Sequence, residues 1–279
     1  MSWSGLAAWA ANLPPAVIGM ACGAGAALCW AAGLVSARHG ILIGLSPLDI
    51  TFHRLVFTGL FFLPSALRGG SGDPGGVGWG RSISLAFFSG PPLALLSYAG
   101  LMLVPLGHGG VIQPSSAALG GLVLSTVVLK ERLLPTRVAG AIAIVCGLCL
   151  IGYEALSTMG TQLKLWKVTP IHAVAVTSVV SLVLVPVQFI FGFDRMIAAG
   201  LFEMVLMALV QGIFAGAAAT FLFTRAVVVL GASRAAVFPA LVPPFTLLIG
   251  FLALGNVPSA YQLAGLTIVL IGFRLTQKS

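Results

Sequence analysis

Two stretches of this chain, LKERLLPTRVAGAIAIVCG at residues 129–147 and LGNVPSAYQLAGLTIVLIG at residues 254–272, align as copies of one unit. Glycines recur at the same places in both copies, and a proline ahead of each copy keeps the same register. The matched pairs are Pro114 with Pro239, Glu131 with Asn256, Gly140 with Gly265, and Gly147 with Gly272. Self-similarity at a constant spacing indicates an internal repeat. We therefore predict two structural units, a first repeat over residues 1–153 and a second over residues 154–279.

The composition places both copies in a membrane. The chain has 279 residues, of which 59% are hydrophobic and 7% are charged, whereas soluble domains are about 45–50% apolar and about 25% charged. The formal net charge of +8 comes from Lys and Arg residues that are scattered singly between apolar runs, so we expect no nucleic-acid partner. The cysteines lie inside apolar runs and predict neither a disulfide nor a metal site. Two pseudo-symmetric apolar halves are typical of membrane transporters.

The hydropathy pattern predicts an all-α, polytopic membrane protein. A helix needs roughly 20 mostly apolar residues to cross a hydrocarbon core of about 30 Å. Nine runs qualify, near residues 17–37, 48–67, 83–104, 107–129, 136–153, 170–192, 201–224, 232–254 and 259–275. Prolines inside these runs are expected to kink the helices or to leave carbonyl groups free. They are Pro91, Pro92, Pro114, Pro239, Pro243 and Pro244.

Equivalent loops of the two copies differ in charge. The loop at 130–137 carries three basic residues, whereas its counterpart at 255–262 carries no charge. The bias reverses at the preceding loop, where 106–107 is flanked by a histidine and 230–231 by two arginines. Because basic loops stay on the cytoplasmic side, the two units are predicted to be inverted relative to each other. The summed charges place the amino and carboxyl termini in the cytoplasm.

An inverted repeat of two five-helix units requires ten helices, and only nine clear spans are present. The equivalent of the first helix is missing between residues 154 and 169. This segment contains Glu154, Lys164 and Lys167, and it would reach about 24 Å even if it were wholly helical. Either the chain has lost a sixth helix, or the protein has nine true spans and the charge pattern misleads for one half. We favour the loss of the sixth helix.

Several motifs carry a family resemblance. The first copy has Leu106–Gly107, Pro114 and then Leu129-Lys130-Glu131-Arg132, and the second repeats this as Leu230–Gly231, Pro239 and Leu254-Gly255-Asn256. With the matched glycines, and with Ser46-Pro47 followed by Arg54 in the second span, the chain resembles the drug/metabolite transporter superfamily in its EamA-type branch. The resemblance implies two five-helix repeats in inverted topology and export of small metabolites. Asn256 departs from the pattern, because the family usually has a second Glu there.

Ionisable residues at membrane depth are expensive and therefore are candidates for function. His53 and Arg54 lie in the second span, and Asp49 precedes them by about one turn, where it can pair with them on the same helical face. The alternative is that Arg54 extends to the interface and Asp49 caps the helix. Because no Asp or Glu lies near the middle of a span, any proton coupling would depend on His53, His108 or His172.

A solute pocket combines aromatic walls with a few polar groups. The predicted substrate-binding residues are the aromatic Trp30, Tyr98 and Phe238, the charged or titratable His53 and Arg54, and the polar Gln113, Ser116, Gln188 and Gln211. Gln113 and Phe238 have priority, because each directly precedes a matched proline and should approach the pseudo-two-fold axis. For each polar residue, a hydrogen bond between helices is the alternative interpretation. Runs of Gly and Ala at 23–27 and 215–219 predict close contacts between helices.

The leading hypothesis is a secondary-active or facilitative inner-membrane transporter. It would export small metabolites, such as amino acids, or lipophilic drugs by alternating access, with a small-molecule solute and the lipid bilayer as its partners. No nucleotide-binding loop is present, and we predict no cofactor, no metal and no catalytic residue. Transport of phosphorylated or nucleotide-linked sugars would demand several cations, and only Arg54 is available. The alternatives outside transport are an intramembrane enzyme, for which His53 with Asp49 is the only nearby pair, and a non-transporting membrane scaffold.

Overall fold

The computed structural model describes residues 14–67, 79–103, 184–235 and 238–255, together with individual positions between 135 and 146 and between 257 and 272. Every regular element in this part of the chain is helical. The helices of the first repeat are α1 (Pro15–Leu42), α2 (Pro47–Leu67), α3 (Trp79–Ser89) and α4 (Pro91–Leu103). The predicted all-α fold class is confirmed.

One long helix dominates the second repeat. It runs over Leu201–Leu230 without a break and consists of α7 (Leu201–Met207), a π-helix (Ala208–Ala218) and α8 (Ala219–Leu230). Two short helices precede it, namely α5 (Leu184–Phe191) and α6 (Asp194–Ala199). It is followed by α9 (Ala232–Ala235), a 3₁₀ turn (Phe238–Leu241) and α10 (Val242–Leu254).

Two of the described helices are long and apolar enough to cross a membrane. The first, α1, has 28 residues, which corresponds to about 42 Å at 1.5 Å per residue. It therefore exceeds a bilayer core of about 30 Å. The second is the 30-residue helix Leu201–Leu230. Both are longer than the predicted runs 17–37 and 201–224, because each continues until a glycine with positive φ ends it, at Gly44 and at Gly231.

The prolines begin helices more often than they kink them. The predicted span 83–104 is broken at Gly90, and Pro91 starts the new helix α4. A proline is tolerated at this position because the first amide of a helix has no partner within the helix. Pro243 lies in the first turn of α10 for the same reason, and Pro239 lies in the 3₁₀ turn. The predicted span 107–129, Pro114 and the segment 154–169 that bears on the sixth helix lie outside the described residues.

Small residues let the long helix of the second repeat pack between α1 and α2. On one face, a Cβ added to Gly33 of α1 would lie 2.5 Å from Ala215 Cβ of the π-helix. On another face, a Cβ added to Gly212 would collide with Phe57 of α2 and would lie 3.0 Å from the carbonyl oxygen of His53. Helix backbones approach this closely only where side chains are absent or small. The two repeats are therefore joined by direct packing of the π-helix against α1 and α2.

Large apolar side chains point outward from the helices. Phe189, Ile190 and Phe191 of α5 are 71%, 80% and 72% exposed, and Leu252 of α10 is 72% exposed. Contiguous exposed apolar surface on this scale marks a surface that another apolar phase covers. In a chain of this composition, that phase is lipid.

Candidate functional site

A group of polar residues lies where α1, α2, α4 and the π-helix meet. We call Gly33, Arg54, Tyr98, Gln211 and Ala215 the central cluster. The Gln211 side-chain nitrogen Nε2 donates to the carbonyl oxygen of Gly33 at 2.7 Å, and the Tyr98 hydroxyl donates to Gln211 Oε1 at 3.1 Å. Both side chains are buried. These bonds connect the first repeat to the second, because Gln211 lies in the π-helix and its partners lie in α1 and α4.

Arg54 supplies the charge of the central cluster. Its side chain is half-buried, and its Nη2 donates to the carbonyl oxygen of Ala215 over a long distance of 3.4 Å. A Cβ added to Gly33 would lie 3.5 Å from Arg54 Nη1 and 3.6 Å from Gln211 Oε1. The guanidinium group and the Gln211 amide therefore flank the same point on α1.

The π-helix widens the backbone where it faces α2. π-helical geometry is rare and frequently occurs at functional sites. The Thr58 hydroxyl of α2 lies 2.8 Å from the carbonyl oxygen of Gly212 and 2.5 Å from that of Arg54. This hydroxyl therefore connects the turn of α2 that carries Arg54 to the π-helix.

Asp49 caps α2 and binds the second repeat. Its backbone N–H donates to Ser46 Oγ, and its carboxylate Oδ2 accepts from Ser46 N at 2.8 Å and from Ser46 Oγ at 2.7 Å. Reciprocal bonds of this kind form a capping box. The other carboxylate oxygen, Oδ1, accepts from Gln188 Nε2 of α5 at 2.9 Å, and Gln188 Nε2 also donates to Gly192 O. Gln188 is thus a buried contact between the repeats.

His53 does not form the predicted pair with the Asp49 carboxylate. Its Nδ1 lies 2.7 Å from the backbone carbonyl oxygen of Asp49, while that carboxylate is occupied by Ser46 and Gln188. The His53 ring is buried and stacks on Phe57 at an interplanar angle of 15°. The structure agrees with the alternative interpretation that Asp49 caps the helix, because the carboxylate turns back toward the start of α2.

Two predicted aromatic residues lie along α1 rather than in the central cluster. Trp30 packs against Phe223 of α8, with ring centroids 5.2 Å apart. Phe238 is buried in the 3₁₀ turn, where its ring fills the space that a side chain on Gly23 would need. The remaining predictions, Gln113, Ser116, His108 and His172, fall outside the described residues.

A second polar group lies at the carboxyl end of α1. We call Ser36, Arg38, His39, Glu203 and Met207 the end cluster. His39 Nε2 lies 2.9 Å from Glu203 Oε2, and the side chains of this pair are 31% and 23% exposed. The Ser36 hydroxyl donates to the Met207 sulfur at 3.3 Å. Arg38 lies in α1, one residue beyond the predicted span 17–37, and its Nη1 donates to the carbonyl oxygen of Leu101 near the end of α4.

The two clusters differ in the chemical groups that they bring together. Within the described part of the chain, no three His, Cys, Asp or Glu residues come together to hold a metal ion. The central cluster offers a guanidinium group, a phenol and an amide between two halves of a membrane protein. Such groups bind and orient a small solute.

Comparison with known families decides the class. The model of the EamA-like transporter family matches residues 17–153 and matches again at residues 154–276. The chain belongs to the EamA-like transporter family. The predicted family resemblance is confirmed, and the double match agrees with an internal repeat. The function of this EamA-like chain is therefore transporter-like, it is embedded in a membrane, and its partners are a small-molecule solute and membrane lipid.

Similarity to solved structures supports the fold. One similar structure is described as "Crystal structure of protein". The match covers 94% of the EamA-like chain and 95% of the chain in that structure, with 18% sequence identity and a TM-score of 0.55. At this identity the likeness shows the fold alone. No sequence among the curated proteins matches.

Sequence reasoning about this EamA-like chain missed the backbone groups of the site. The carbonyl oxygens of Gly33 and Ala215 accept hydrogen bonds from Gln211 and Arg54, and no side-chain pattern identifies them. The run of small residues at 215–219 did carry a signal, since Ala215 lies against Gly33 as a predicted close helix contact. The sequence has no comparable signal for the π-helix.

Proposed function

We propose that this chain is a secondary-active or facilitative transporter that exports small metabolites, such as amino acids, or lipophilic drugs across the inner membrane by alternating access. One observation carries the proposal. Polar groups of the first repeat, on Arg54 and Tyr98, meet the Gln211 side chain of the second repeat in the interior of the molecule. A solute held there contacts both repeats. A movement of one repeat against the other therefore changes the side of the membrane from which the solute is accessible.

The nature of the bonds between the repeats favours movement. They are hydrogen bonds of Gln188 and Gln211 and the partly exposed pair of His39 with Glu203. Hydrogen bonds between helices in membranes contribute little each, about 0.6 kcal/mol on average in double-mutant cycles. Contacts of this strength can break and re-form during a transport cycle.

An intramembrane enzyme and a scaffold are less well supported. A catalytic role for His53 requires a carboxylate that orients its ring, and the Asp49 carboxylate bonds elsewhere. We therefore infer no enzymatic activity. The proposed topology has cytoplasmic amino and carboxyl termini and repeats over 1–153 and 154–279, and it needs neither nucleic acid nor a cofactor.

Efflux from proteoliposomes tests the proposal. The purified full chain would be reconstituted into vesicles that contain either a panel of radiolabelled amino acids or the lipophilic cation ethidium. We expect saturable efflux of at least one member, above that of empty vesicles. The variant Gln211→Asn shortens the amide at the central cluster and should reduce this flux, whereas Phe221→Leu, on the exposed face of α8, should leave it unchanged. If folded protein supports no flux for any member, the proposal fails.

A further inference from the structure

Arg54 is a cation in the interior of the helix bundle whose charge no described side chain balances. Its guanidinium group makes one long hydrogen bond, to the neutral carbonyl oxygen of Ala215 at 3.4 Å. Among the residues that the structure describes, Arg54 forms no ion pair with a carboxylate, and the pair of His39 with Glu203 does not involve it. A guanidinium group has five N–H donors in a planar fork, and the described residues accept a hydrogen bond from one of its nitrogens.

The nearest carboxylate along α2 is not free to balance this charge. Asp49 is 3% exposed, and both of its carboxylate oxygens are occupied, one by Ser46 and the other by Gln188. A charge out of water is costly unless an opposite charge or several hydrogen bonds compensate it. A solute anion beside Arg54 would provide this compensation.

The neighbours of Arg54 limit the charge of that anion. The other polar side chains of the central cluster, Tyr98 and Gln211, are neutral and bond to each other. One guanidinium group balances one negative charge, and its fork matches the two oxygens of a carboxylate. A phosphate monoester carries about −1.5 to −2 at neutral pH and would remain partly uncompensated.

We propose that Arg54 binds the carboxylate of a small organic monoanion at the central cluster. This inference rests on the proposed transport function and narrows its substrate class from small metabolites and lipophilic drugs to carboxylates. The carboxylate replaces the long contact of Arg54 with Ala215 O by charge-assisted hydrogen bonds. The remainder of the solute lies toward the Tyr98–Gln211 pair.

Binding of matched acids and amides tests the proposal. The purified full chain in detergent would be titrated with three pairs of probes: N-acetyl-leucine and N-acetyl-leucinamide, lactate and lactamide, and benzoate and benzamide. Each pair differs by one negative charge and little in shape. Because hydrogen bonds to charged groups are the stronger ones, we expect at least one acid to bind roughly ten- to hundredfold more tightly than its amide.

Substitutions at Arg54 separate recognition from packing. Arg54→Gln should bring the affinity for the acid close to that for the amide and should leave the amide unchanged. Arg54→Lys should restore part of the preference, because it keeps the charge but loses the fork. The matched control is Arg38→Gln, which removes a cation of the end cluster and should keep the full preference. All variants would first be checked for monodisperse, helical protein.

The outcomes distinguish this proposal from the transport function. The carboxylate proposal is overturned if the wild type binds acid and amide with equal affinity in all three pairs. It is also overturned if Arg54→Gln weakens the binding of acid and amide equally, because an equal loss indicates that Arg54 has a packing role. Efflux without a preference for acids leaves transport standing and removes the carboxylate site. Preferential binding of an acid that is lost in Arg54→Gln, without any efflux, supports the carboxylate site while the transport function fails.

Discussion

The central cluster and the end cluster share helix α1 and the long helix Leu201–Leu230 but differ in solvation. In the central cluster, Tyr98 and Gln211 are buried in a fully hydrogen-bonded pair. In the end cluster, His39 and Glu203 form a partly exposed pair, which is an ion pair when the histidine is protonated. Unsatisfied polar groups cost most where water is absent, whereas exposed ion pairs contribute little. The same two helices thus carry an interior contact that is sensitive to substitution and a peripheral contact that is easily broken.

The largest effect is expected from Gly212→Ala. A Cβ at this position meets Phe57 and the backbone carbonyl oxygen of His53, and a backbone atom cannot move aside as a flexible side chain does. Overpacking of this kind costs about 1–3 kcal/mol, and we expect the upper end of this range. Unfolding of the detergent-solubilised protein by increasing SDS would measure it.

The matched control for Gly212 is Gly100→Ala in α4. Nothing lies within 4 Å of a Cβ added there, and alanine has the higher helix propensity. We therefore expect unchanged or slightly increased stability. If both alanine variants lose stability equally, the close packing of the π-helix against α2 is not what makes the interior sensitive.

A smaller loss, about 2 kcal/mol, is expected from Gln211→Leu. Leucine fills a similar volume but leaves the buried hydroxyl of Tyr98 without its partner and removes the side-chain bond to the carbonyl oxygen of Gly33. A buried polar group without a partner costs about 1–3 kcal/mol. The double variant Gln211→Leu with Tyr98→Phe should recover part of the loss, because it removes the orphaned hydroxyl. If the losses of stability from Gln211→Leu and Tyr98→Phe simply add in the double variant, the hydrogen bond between the two side chains is contradicted.

The smallest effect is expected at the end cluster. A double-mutant cycle with His39→Gln and Glu203→Gln should give a coupling energy of about 0.2–1 kcal/mol. High salt should reduce it, because partly exposed charges are screened. A coupling larger than the loss in Gln211→Leu would reverse the comparison and would make the end cluster the principal bond between the repeats.

The local pattern of the sequence predicted the helices better than their breaks. The second span near 48–67 agrees with α2, which begins at Pro47, directly after Ser46, and ends at Leu67. The span near 83–104 is two helices, because Pro91 has no backbone N–H and a new helix begins there, after Gly90. Hydropathy does not detect such a break, since the residues on both sides of it are apolar. The first span was predicted too short, since α1 continues past Arg38 to Leu42.

The candidate site could be predicted by residue type but not by partner. Tyr98, Gln188 and Gln211 were identified as polar groups in apolar helices, and each forms a buried hydrogen bond. Their long-range partners are 113, 139 and 178 residues away in the sequence, and one of them, Gly33 O, is a backbone carbonyl group. Hydropathy assigns residues to helices, but it does not indicate which helices become neighbours.

The sequence by itself determined that this protein is an all-helical membrane protein with two related units. The apolar composition and the internal repeat are properties of the sequence, and they hold whichever helices pack against one another. Only the tertiary structure decided that Asp49 turns back to cap α2 while Arg54, next to the π-helix, has no carboxylate partner among the described residues. The reason is that side-chain partners depend on how closely helices approach one another, and this distance depends on small residues from both halves at once.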